Sequence, residues 1–106
     1  MDPLTQNASL RDLQSYVAKL EAERGFDGRS AESQCLKLCE EVGELAGAVG
    51  ALTGQPQDVR RRGSADVGDE AADVLLMLLA VVNRSGIDLE EALRRKEARN
   101  NTRQWR

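Results

Sequence analysis

Apolar positions recur every three or four residues along most of this chain, a rhythm that predicts helix. In "SLRDLQSYVAKLEAERG", Leu10, Leu13, Val17 and Leu20 share one face, Ser9 and Asp12 stand near capping-box spacing, and Gly25 closes the segment. A second helix is predicted from about Ser30 to Thr53, with Leu38, Val42, Leu45, Val49 and Leu52 on one face, stopped by Gly54 and Pro56. "GQPQDVRRRGSADVG" contains Gly and Pro but no apolar period, and reads as a loop. A third helix covers "DEAADVLLMLLAVV" and ends near Gly86. A fourth begins at Asp88, with Glu91 three residues on, and continues through "LEEALRRKEARN". There is no strand alternation, internal repeat or low-complexity tract. The expected fold class is all-α, with one domain over residues 1–106.

The third helix has a quaternary implication. Val74 to Val82 are nine consecutive apolar residues, and a helix that is apolar on every side has to be buried all round. The other helices of one small chain, all amphipathic, can hardly cover it. A homo-oligomer, dimer or tetramer, is therefore expected to complete the core.

Composition narrows the function classes. The chain is 41% hydrophobic and 31% charged, as in globular rather than disordered proteins. With 3% aromatics, the core must come from Leu, Val and Ala. A net charge of −3 argues against general duplex nucleic-acid binding, which depends on phosphate neutralisation. Basic charge is nonetheless clustered, at Arg60, Arg61 and Arg62 and in the tail "RRKEARNNTRQWR". Two readings stay open for each cluster: a solvated surface, or phosphate binding to a small anionic ligand. "MDPLTQNASL" has neither the basic region nor the apolar run of a leader. The nine-residue apolar run also falls short of the ~20 residues that cross a bilayer. A cytoplasmic protein without membrane attachment is expected.

Cys35 and Cys39 are spaced i, i+4 on the predicted stripe with Leu38 and Val42, and are expected to be buried free thiols. No histidine is present. That removes His-dependent zinc sites, Ser–His triads and the Glu-x-x-His di-iron motif, so a metal here would be held mainly by oxygen.

The acids supply such oxygens. "CEEVGEL" puts Glu40, Glu41 and Glu44 within little more than one turn, and Glu41 and Glu44 are ~60° apart at ~100° per residue. Glu70 and Asp73 have the same i, i+3 spacing and share a face of the third helix. If the two helices pack with these pairs opposed, four carboxylates converge, and a hard divalent cation, Mg²⁺ or Mn²⁺, would offset their repulsion. The plainer reading is that Glu70 complements the helix dipole and Glu40, Glu41 and Glu44 form a solvated face. Asp73 fits that reading less well, because it abuts the apolar run. Gly43, Gly47 and Gly50 lie inside the second helix at ~1 kcal/mol each relative to Ala, which points to close approach by a neighbouring helix or a ligand.

Together these residues resemble the MazG-like nucleotide pyrophosphohydrolases. Glu40-Glu41-Val42-Gly43-Glu44-Leu45 resembles the EExxE signature of that family, and Glu70-Ala71-Ala72-Asp73 its ExxD motif. "SGIDLEEALRRKEARNNTRQW" is similar to the family's tail, with Lys96, Asn100 and Arg103 in matching positions. The resemblance spans about residues 24 to 105. It implies an all-α, four-helix MazG-like bundle completed by oligomerisation. It also implies Mg²⁺-dependent hydrolysis of (d)NTPs, noncanonical ones included, to the monophosphate and pyrophosphate. In that scheme Glu41, Glu44, Glu70 and Asp73 hold the metal and Glu40 is the base that orients or deprotonates water. Lys96 and Asn100 contact phosphate or sugar, with Arg103 as a helper. Phe26 stands where relatives carry a tryptophan near the base, so the resemblance does not carry substrate identity; Phe26 is equally a core residue. Two other functions remain: a non-catalytic nucleotide- or partner-binding helical oligomer, and a phosphoribosyl-ATP pyrophosphohydrolase.

Overall fold

The computed structural model of the protein describes residues 1–55 and 66–103. Those residues form four helices and no strands: α1 Leu10–Glu23, α2 Ala31–Leu52, α3 Val67–Arg84 and α4 Leu89–Asn101. The all-α expectation is met. Arg60, Arg61 and Arg62 lie outside the described residues.

Each helix begins where a side chain satisfies its free N–H groups. Ser9 caps α1 in a full capping box with Asp12. Ser30 caps α2, Asp66 caps α3 and Asp88 caps α4 through Ser33, Asp69 and Glu91 N–H. α3 starts earlier than the apolar pattern suggests, because Asp66 supplies the cap three residues before Asp69. Gly25 and Gly54, with φ of 76° and 80°, turn the chain out of α1 and α2.

α2 packs along α3, α1 crosses α3, and α4 rests on α1. α2 and α3 run antiparallel: Arg84 at the end of α3 reaches the carbonyl of Arg29 just before α2, while Glu70 near the start of α3 meets Glu41 and Glu44. Val17, Leu20, Leu79 and Ala80 make the core, with Leu13, Tyr16, Leu76 and Leu89 packed against it.

A buried polar lattice fastens this core. Arg84 donates to both carboxylate oxygens of Glu21 at 2.7 and 2.9 Å, and to the carbonyls of Phe26, Arg29 and Ala80. Gln34 donates to Glu21 Oε2 at 2.9 Å. Gln14 and Asn83 exchange hydrogen bonds between α1 and α3, and Gln14 also accepts from Leu89 N–H at the start of α4.

Several sequence expectations give way here. The stripe of α2 does not face the core: Val42, Val49 and Leu52 are exposed, and the buried residues of that helix are Gln34 and Ala48. Cys35 and Cys39 are free, as expected, but exposed rather than buried. They sit on the side of α2 that turns from α3. Gly43 does not admit a close neighbour either, since a Cβ there would meet nothing within 4 Å. The reading that one chain can hardly cover α3, in contrast, agrees with Leu75 and Leu78, which are exposed at 38% and 36%.

Candidate metal centre and adjoining cavity

Gln34, Glu41 and Ala48 follow one another at seven-residue intervals, and two helical turns bring each nearly over the last. This is the face α2 lays on α3, and Glu44, three residues past Glu41, sits at its edge. α3 answers with Glu70, which is 2% exposed. The outcome is a carboxylate group of Glu41, Glu44 and Glu70 whose ligand oxygens all lie within 4.8 Å of one another. Opposite ligands at ~2.1 Å from Mg²⁺ are ~4.2 Å apart, so the group is close to the size of a magnesium shell.

The surroundings of Glu41 disfavour its charged form. Burial pushes the Glu41 carboxyl above its ordinary range, a hydrogen bond with the Glu44 carboxyl and its charge add to this, and Asp73 adds further repulsion. Lys37, 3.8 Å from Glu41, opposes the shift. Glu41 Oε2 is buried with no hydrogen-bond partner among the described residues. An all-oxygen donor set of this kind suits a hard divalent cation.

The other singled-out residues lie outside this group of three. Asp73 is exposed and is not one of the three converging acids, yet it acts on Glu41 and lines the same small cavity. Glu40, with a side chain 67% exposed, lies outside the group and pairs with Lys37 at 3.3 Å. Lys96 and Asn100 are on α4, which rests on α1, and Arg103 follows that helix. Asn100 donates to Glu97 at 2.9 Å. Phe26 is half-buried, with the Arg29 guanidinium 4.1 Å over its ring, and lines the cavity rather than joining the main core.

That cavity, of about 170 Å³, lies between the core and the acids. Val17, Leu20, Phe26, Leu76 and Met77 form its apolar walls, while Glu21, Arg24, Gln34, Glu41 and Asp73 supply its polar lining.

Residues 29–104 match the family described as the MazG nucleotide pyrophosphohydrolase domain. The chain belongs to that family. No curated protein matches it. The MazG match takes in both acid pairs and α2 to α4, and leaves α1 and Phe26 outside.

Sequence reasoning missed Gln34, Glu21 and Arg84. A signal for each was present: Gln34 is two turns before Glu41 on the same face, and Glu21 is four residues after Val17 on the apolar stripe of α1. Arg84 ends an otherwise apolar run, where a helix C-terminus favours a cation.

Proposed function

We propose that the protein is a Mg²⁺-dependent nucleoside triphosphate pyrophosphohydrolase that converts (d)NTPs, noncanonical ones included, to the monophosphate and pyrophosphate. The carrying observation is the convergence of Glu41, Glu44 and Glu70 from two helices in a chain of the MazG family. In this reading the whole of residues 1–106 acts as one domain, since α1 packs on α3 and walls the cavity. A cytoplasmic location, where nucleotide pools are cleansed, belongs to the same reading; among the described residues no helix is long and apolar enough to cross a membrane.

Glu41, Glu44 and Glu70 would hold the metal, with Asp73 completing the set from its place beside Glu41. When bound, Mg²⁺, or Mn²⁺ in its place, supplies neutralising charge to phosphate oxygens and makes water more acidic. Glu40 orients the attacking water and takes its proton as the α–β anhydride is cleaved; its exposure leaves it open to solvent, with Lys37 3.3 Å away. Lys96, Asn100 and Arg103 contact phosphate or sugar, where positive charge and donors stabilise the leaving pyrophosphate. Phe26 and the apolar cavity receive the base.

A second copy belongs to this reading. Exposed Leu36, Leu52, Leu75 and Leu78 fit burial against another subunit.

Pyrophosphate release from a panel of canonical and modified (d)NTPs and phosphoribosyl-ATP, with and without Mg²⁺, tests the proposal. Turnover that requires metal and disappears in Asp73→Ala is expected. No turnover beyond that of Asp73→Ala with any nucleotide overturns it, and saturable binding without hydrolysis would identify a nucleotide-binding protein instead.

A further inference from the structure

The acids of α2 and α3 converge near the start of α3, whereas the bonds of Arg84 join the two helices at its end. Arg84 donates to the Arg29 carbonyl at 2.7 Å, which ties the end of α3 to the residue before the cap of α2. It also donates to both oxygens of Glu21 at 2.7 and 2.9 Å, and Gln34 of α2 donates to the same carboxylate at 2.9 Å. Glu21, on α1, is thus gripped from α2 and α3 at once. It is 6% exposed and Gln34 is 2% exposed, so water competes little for these bonds.

Residue spacing relates the two ends of the helix pair. Glu41 follows Arg29 by 12 residues, while Arg84 follows Glu70 by 14 and Asp73 by 11. At 1.5 Å per residue these are spans of ~18 Å along α2 and of ~21 and ~16.5 Å along α3. In an antiparallel pair joined at Arg29 and Arg84, Glu41 therefore comes level with the interval between Glu70 and Asp73. The approach of Glu41, Glu44 and Glu70 oxygens to within 4.8 Å agrees with that register. A slip of one residue would shift α2 by ~1.5 Å and turn its side chains by ~100°, taking Glu41 off the shared face. Apolar packing does little to prevent this, since Ala48 is the one fully buried apolar residue of α2 and hydrophobic burial has no direction. A carboxylate held by a planar guanidinium has one.

We propose that Glu21 and Arg84 are positioning residues that set the axial register of α2 against α3, and with it the spacing of the Glu41, Glu44 and Glu70 carboxylates. The proposal rests on the reading of those carboxylates as a Mg²⁺ site. It gives a role at that site to a residue outside the matched domain, because Glu21 precedes residue 29. Mg²⁺ demands near-ideal octahedral geometry, whereas Ca²⁺ accepts about six to eight oxygens in flexible arrangements. A loosened register therefore weakens Mg²⁺ binding more than Ca²⁺ binding, while a plain loss of stability acts on both alike.

The test is calorimetric binding of Mg²⁺ and of Ca²⁺ to the full chain without nucleotide, and to its Arg84→Lys, Glu21→Gln and Leu13→Ala variants. Each is measured at a temperature where circular dichroism shows it folded. Arg84→Lys keeps the charge but exchanges the fork for a single ammonium. Leu13→Ala removes apolar packing of α1 and leaves the hydrogen bonds of Glu21 in place. Arg84→Lys and Glu21→Gln are expected to weaken Mg²⁺ binding by about tenfold or more, and Ca²⁺ binding by about twofold at most. Leu13→Ala should keep the wild-type ratio of the two affinities. An unmoved ratio in folded Arg84→Lys, or an equal change in Leu13→Ala, overturns the proposal. Should Arg84→Lys fail to fold, the ratio in Glu21→Gln decides in the same way. Binding of neither ion by the wild-type chain sinks the metal-site reading and the proposal with it. An unmoved ratio beside metal-dependent turnover sinks the register role alone, and a moved ratio without turnover sinks only the hydrolase reading.

Discussion

Three neighbouring influences disfavour the charged form of Glu41: burial, the adjoining Glu44 carboxyl and the charge of Asp73. Its folded-state pKa lies above the unfolded value, so its favourable contribution is full below about pH 4.5 and is lost as pH rises through the raised value. Without metal the native state thus carries an avoidable cost at neutral pH. Glu41→Gln is expected to raise the metal-free melting temperature at pH 7; a gain on the order of 1 kcal/mol corresponds to ~4–8 °C in a domain of this size. The same change should lower Mg²⁺-dependent turnover by about two orders of magnitude or more, since a ligand is lost. Melting in a chelator, followed from pH 4 to pH 8, checks both the gain and the weaker pH slope. Arg84 is the opposite case, a charge whose partners are all present. Arg84→Met strands the Glu21 carboxylate and three carbonyls, with an expected loss of ~3–5 kcal/mol in urea unfolding. That is a large part of the ~5–15 kcal/mol by which small domains are stable.

Among the helices, α4 is the one with no buried residue, and besides the packing of Leu89 its attachment is polar. Asp88 both caps it and accepts from Arg11 of α1 at 2.6 Å, while Arg11 also meets Glu90 at 2.8 Å. The Arg11 bond, joined by the cap bonds, holds the Asp88 carboxyl below its usual range, so this contribution is present above pH 3.8 and fades as pH falls through the lowered value. In Arg11→Leu, the Asp88 carboxyl followed by NMR titration should move back up, though not fully, because the Glu91 N–H still donates to it. How legible these elements were depended on the signal used. Capping residues and glycines placed α1, α2 and α4, since Ser9, Ser30, Asp88 and Gly25 act within one turn of their own position, whereas α3 was placed by its apolar run and its cap at Asp66 was not read. The i, i+3 acids were legible for the same reason. What periodicity could not reveal is which face meets the chain itself. α2 has a leucine–valine stripe and a mixed face of Gln34, Glu41 and Ala48, and the mixed one is turned inward. That choice is tertiary: Gln34 is drawn in by Glu21 and Arg84, residues 13 and 50 positions away by number. The outward turn of Cys35 and Cys39 is a consequence of it.

At the scale of the whole molecule, the turned-out stripe and the exposed leucines of α3 leave an apolar surface that a folded monomer seldom keeps. Leu75→Glu combined with Leu78→Glu is expected to reduce the mass measured by light scattering to that of one 11.6 kDa chain, with helicity retained. An unchanged mass would show that α3 takes no part in assembly. The Arg84 lattice has a further consequence for where this protein can be cut. A chain shortened to the matched residues 29–104 would keep every converging acid and lose α1, Phe26 and Glu21. Arg84 would then point a guanidinium into an opened core, Gln34 would be free to rotate, and Val17 and Leu20 would no longer cover Leu79. The stretch that carries the family signature is shorter than the stretch that folds, and the 28 residues before it, which contain α1, have structural work of their own.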